Sequence, residues 1–93
     1  MPGRARTAEL PAFLSSPNPW VRVTAQRLIL ERRDEAILAE LRSLAVSGAN
    51  ALGRLHAVGT LEAWGRLDDA ILEKSLRDPV PGIREYAVPL AGQ

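Results

Sequence analysis

Ninety-three residues, 46% of them hydrophobic and 25% charged, are enough for one core, and a chain of this length buries about 60 to 70% of its unfolded surface, which excludes a second independent domain. Twelve Lys+Arg against eleven Asp+Glu leave a net charge of +1, too weak a field to hold nucleic acid or a membrane surface by charge alone, and no run reaches the roughly 18 apolar residues that a membrane span requires. The absence of cysteine excludes disulfides, thiolate metal sites and thiol catalysis, while fourteen alanines and fourteen leucines against four aromatic residues favour helices over strands.

Met1 to Thr7 carries two arginines with no apolar stretch behind them, which predicts no signal peptide. The first helix is expected near 8–15, with Pro11 in its first turn. A second, near 20–32, starts from Asn18 as N-cap with Pro19 at its first position, and Val21, Ala25, Leu28 and Ile29 follow helical spacing. Arg32 and Arg33 complement the negative pole at its end. The third, near 35–47, is capped by Asp34, with Glu35 at the positive pole and Ile37, Leu38, Leu41, Leu44 and Ala45 on one face. Gly48 is expected to adopt a left-handed conformation after it. The fourth, near 51–64, is capped by Asn50 and followed by Gly65, a second left-handed candidate. Gly53 and Gly59 inside it each cost about 1 kcal/mol against Ala, which points to close approach by a neighbouring helix. The fifth, near 69–77, is capped by Asp68 with Asp69 behind it. The sixth, near 82–91, opens after Pro81 and contains Pro89, which costs roughly 3 kcal/mol if truly interior. Fraying is therefore expected at both termini. No stretch alternates with period two for long enough to make a strand.

The chain also repeats itself. Leu14 to Ala25 lies over Leu76 to Ala87 at a separation of 62, with Leu, both prolines, a β-branched residue, Arg and Ala coinciding. Asn50 to Ala57 sits between them and keeps Asn, Arg and Ala. The steps from Arg22 to Arg54 to Arg84 are 32 and 30 residues, and Asp34 to Leu38 recurs as Asp68 to Leu72 after 34. Each unit reads as two helices, which gives three hairpins over repeats of about 7–33, 34–66 and 67–93. Helices of this length are marginal alone in water, so each hairpin must bury its apolar face against the next. The expected fold is all-α, an α-α superhelix of about three helical hairpins.

Asp78, Pro81, Ile83, Arg84 and Ala87 resemble the opening of the second helix of the HEAT repeat; Pro19, Val21, Arg22 and Ala25 match it with Ser16 in place of Asp, and the middle unit retains Arg54 and Ala57. Trp20 to Glu31 together with Arg54 to Glu62 are similar to the HEAT segment of large bacterial membrane-bound dehydrogenase and c-type cytochrome multidomain proteins. This likeness implies a scaffold domain cut from a longer, exported or periplasmic protein. The haem-binding Cys–x–x–Cys–His motif of that family is missing here, so no redox activity follows, and no cofactor is expected.

Arg22, Arg54 and Arg84 would stand in a column beside Ala25, Ala57 and Ala87. An anion-binding ladder is one reading; pairing with carboxylates or helix-end carbonyls is the favoured one, with Asp78 the partner expected within the third unit. His56 has no second His, no Cys and no Gly–x–Ser–x–Gly elbow to work with, so neither catalytic nor metal residues are assigned, and a hydrogen bond at the repeat interface is expected instead. Trp20 and Trp64 lie near the edges of the stack, where core or cap packing competes with anchoring of a partner. The surface offered to a partner is taken as Trp20, Trp64, His56 and Arg27. The acidic pairs Asp34/Glu35 and Asp68/Asp69 read as helix starts rather than acid–base or metal sites.

These readings predict a non-enzymatic scaffold whose partner is a protein or a neighbouring domain of a parent chain. Weak self-association through exposed end repeats is a secondary expectation, and membrane insertion is not expected. The alternative is a nucleic-acid-binding domain using Arg22, Arg27, Arg32, Arg33, Arg54 and Arg84 of the second helices, a positive face partly offset by Glu31, Glu62 and Glu85.

Overall fold

Four side chains set helix starts as their chemistry demands. Asn18 accepts the N–H of Trp20, Asn50 those of Leu52 and Gly53, Asp34 that of Ala36 and Asp68 that of Ile71. The computed structural model describes residues 6–91 and contains six α-helices among them: α1 (Leu10–Phe13), α2 (Pro19–Arg32), α3 (Leu38–Ser47), α4 (Ala51–Trp64), α5 (Asp69–Leu76) and α6 (Pro81–Ala91). No strand occurs among the described residues. The fold class is all-α, built of helical hairpins.

Several boundaries depart from the spacing argument. α1 is only four residues long, preceded by a 3-10 turn over Thr7–Glu9. Pro11 sits in its opening turn as expected, and Pro17 disfavours helical backbone at Ser16, which prevents extension towards α2. A second 3-10 turn, Glu35–Ile37, precedes α3. α6 runs through Pro89 to Ala91; the far ends of the chain, on which part of the fraying expectation falls, lie outside the described residues.

Gly48 has a φ of −58°, not a left-handed one. Its glycine is required by space instead: a Cβ there would lie 2.6 Å from the Leu44 carbonyl oxygen. The left-handed positions are Gly65, at φ +80°, and Arg33, at φ 45°, which ends α2 without a glycine. The Arg33 N–H closes on the Ile29 carbonyl and its Nε–H on that of Leu30, so the end carbonyls of α2 are satisfied by the residue that strains to reach them.

Each helix packs against its hairpin partner, α1 on α2, α3 on α4 and α5 on α6. First helices then touch first helices (α1 with α3, α3 with α5) and second helices touch second helices (α2 with α4, α4 with α6). One apolar cluster links the hairpins through Leu10, Leu14, Ile29, Leu41, Val58, Leu61 and Ile71. Ala25, Ala57 and Ala87 are each fully buried, at the same place in each unit.

Candidate functional site

The three repeated arginines make the same first contact. Arg22 Nη1 donates to the Ser16 carbonyl at 2.7 Å, Arg54 Nη1 to that of Gly48 at 2.8 Å and Arg84 Nη1 to that of Asp78 at 2.7 Å. In each case the acceptor stands six residues earlier, in the connection that leads into the second helix. A guanidinium suits this place because one edge can hold a carbonyl while the other edge reaches further.

The second edge finds a different acceptor in each unit. Arg54 grips the Asp78 carboxylate with Nε at 2.8 Å and Nη2 at 3.1 Å. Asp78 therefore serves Arg84 of its own unit through its backbone oxygen, as the partner expected within the third unit, and in addition pairs across to the second unit with its carboxylate. Both members are largely buried. The hydrogen bonds from Arg54 hold the Asp78 carboxyl below the usual carboxylate range, against the opposing effect of burial and with help from the Val80 N–H and the charge of Arg84. Arg22 has no such partner, because the residue corresponding to Asp78 in the next unit is Gly48. Its Nε–H turns to His56 Nε2 at 3.2 Å. His56 thus accepts in its neutral form, and partial burial, followed by the charge of Arg22, lowers its pKa.

Four other apolar or aromatic side chains of the second helices stand open to water. Trp20 and Val23 of α2 are 53% and 61% exposed, and Leu52 of α4 and Tyr86 of α6 are also exposed. Two shallow grooves on these helices share Gln26. One of about 410 Å³ is lined by Val23, Gln26, Arg27, Leu30 and Glu31; one of about 220 Å³ is lined by Gln26, Leu55, His56, Gly59 and Tyr86. Gly59 is explained by the second groove, since a Cβ there would lie 3.2 Å from the Tyr86 hydroxyl. Gly53 makes way for Ser15, whose side chain would collide with any Cβ at that place. A larger groove of about 550 Å³ lies elsewhere, over Arg54, Asp78, Lys74 and Arg77.

Of the surface assigned from the sequence, Arg27 lines the first of these grooves, His56 the second, and Trp20 is exposed on α2. Trp64 is buried instead: it is 7% exposed and belongs to the core cluster, because the α4 stripe on which it lies turns inward with Ala57 and Leu61. Sequence reasoning missed Val23, Leu52, Leu55 and Tyr86. The available signal was positional, since Leu52 follows Trp20 and Leu55 follows Val23 at the 32-residue step that relates Arg54 to Arg22.

Among the described residues no group of three or more His, Cys, Asp or Glu could hold a metal ion, and none of their helices is long and apolar enough to cross a membrane. Comparison with protein-family models, curated proteins and solved structures finds no match for the chain.

Proposed function

We propose that the protein is a non-enzymatic, HEAT-like α-α superhelical scaffold that binds another protein along the exposed face of α2, α4 and α6. The observation that carries this reading is the exposure of Trp20, Val23, Leu52 and Tyr86 on the second helices, with Val23 and Tyr86 lining the two shallow grooves. Apolar and aromatic side chains left in water at one face, ringed by Arg27, Glu31 and Glu62, have the composition of a protein-binding surface with a polar rim. An apolar partner segment would cover these side chains while its own polar groups meet the rim. The family resemblance further implies that such a partner is a neighbouring domain of a larger exported protein.

The arginines give less support to nucleic-acid binding. Arg22 and Arg54 direct their forks into the protein, Arg27 faces Glu31 at 3.8 Å, Arg33 donates to Leu30 and Arg32 to Thr7. Guanidinium groups already engaged in this way offer few donors to phosphates.

The test is affinity capture from the source cells with the tagged chain and with a Trp20→Glu, Val23→Glu variant that keeps the native circular dichroism spectrum. One protein held by the parent chain and depleted at least tenfold by the variant is expected. Equal recovery by both, or salt-dependent retention of nucleic acid that ignores the variant, would overturn the reading.

A further inference from the structure

Arg54 and Arg84 occupy equivalent places but differ in what their second edge meets. Arg54 closes on the carboxylate of Asp78, delivered by the next hairpin. The matching Nε–H and Nη2 of Arg84 meet no acceptor among the described residues, and the side chain is exposed. The same contrast recurs one turn further along each helix. Val58 is 0% exposed and its counterpart Val88 is 60% exposed, while Leu61 is buried and its counterpart Ala91 is exposed. Arg84, Val88 and Ala91 stand at i, i+4 and i+7, hence on one stripe.

We propose that this stripe of α6 is a docking face for a helical hairpin that presents a carboxylate from the connection between its two helices, as α5 and α6 present Asp78 to α4. The charge complementarity is set by the internal example: a bidentate guanidinium–carboxylate pair flanked by a valine. A second copy of this chain fits less well. Its first hairpin carries Ser16 where the third carries Asp78, and that hydroxyl already accepts the Asn18 N–H at 3.1 Å. Where the second hairpin offers His56, the first has Thr24, which is buried. The inference deepens the scaffold reading by naming one partner class, and it relies on that reading only in taking the partner to be a protein.

The probe is the chain itself with residues 62–91 repeated after Ala91. Ala91 follows Leu61 by thirty residues, as Arg84 follows Arg54, so the repeated copy of Asp78 reaches Arg84 at the original spacing. The α6 amides should exchange at least tenfold more slowly in the extended protein. Arg84→Ala, or Asn at the repeated copy of Asp78, should each reverse most of that gain, and the two together no more than either. Unchanged α6 exchange overturns the proposal, whether the added hairpin is disordered or folds apart, and so does a gain that survives Arg84→Ala. Trp20→Glu with Val23→Glu should leave the gain intact, which separates this result from failure of the α2–α4–α6 surface. Sedimentation of the original chain should show a monomer; a dimer abolished by Arg84→Ala would replace the carboxylate-bearing hairpin by a second copy and overturn the partner chemistry.

Discussion

A carbonyl six residues back is the shared acceptor of Arg22, Arg54 and Arg84, and the residue presented by the next hairpin decides what else each one does. Where that residue is Asp78 the result is a buried ion pair. Truncating one member strands the other charge, so Arg54→Ala should destabilise the protein by about 3 to 5 kcal/mol, and urea denaturation measures it. Replacing both members by apolar groups should cost much less. Because the folded-state pKa of Asp78 is depressed, its contribution is present above the unfolded carboxylate value and is lost as pH falls through the lower, folded one. Where the presented residue is Gly48, His56 takes over, and the pH dependence moves to a different window. A histidine with a lowered folded pKa keeps its stabilisation above the ordinary value of about 6.5 and loses it as pH drops from there towards the folded value. The urea midpoint should therefore decline between pH 7 and pH 5. His56 is the sole histidine, so His56→Phe should flatten this interval; a decline of equal size in that variant would place the titration elsewhere.

At the scale of the element, the capped helix starts were legible, whereas the ends of α2 and α3 were not. Asn50 caps α4 with two hydrogen bonds, and Asn50→Ala should cost about 1 kcal/mol of stability, read from thermal unfolding. Gly53 reverses the usual sign of a glycine replacement. In an exposed helix Gly→Ala gains up to about 1 kcal/mol, but here the new methyl would meet Ser15, so Gly53→Ala should lower the melting temperature. Combining it with Ser15→Gly should recover part of the loss, and strictly additive effects would show that the two sites do not touch. Arg33 could not have been anticipated as the left-handed end of α2, since intrinsic preference assigns that conformation to glycine or asparagine and only the fit of its neighbours imposes it.

Across the whole molecule the hairpins are not equally bound in. The buried members of the common cluster come from α1 to α5, and α6 adds only the partly buried Leu90, its buried residues Ile83 and Ala87 lying outside the cluster. The α5–α6 hairpin should accordingly show the fastest amide exchange of the three, with α3 and α4, which have neighbours on both sides, the slowest. Leu41→Ala, at a fully buried place in that middle hairpin, should cost about 2 to 5 kcal/mol. The two tryptophans report the same geometry: Trp20 should be quenched readily by acrylamide and Trp64 weakly, as measured on Trp64→Phe and Trp20→Phe variants.

The helix count, the all-α class, the four side-chain caps and the equivalence of the three arginines were readable from the order of the amino acids, because all of these follow from local hydrogen bonding and from periodicity along the chain. Packing between hairpins settles the rest: Asp78 reaches back to Arg54, His56 substitutes for a missing carboxylate, Trp64 turns inward while Trp20 stays in water, and Val88 is open where Val58 is closed. Those outcomes depend on which hairpin covers which stripe. Identical local spacing leaves that question open, since the burial of a side chain is a property of its neighbours in space.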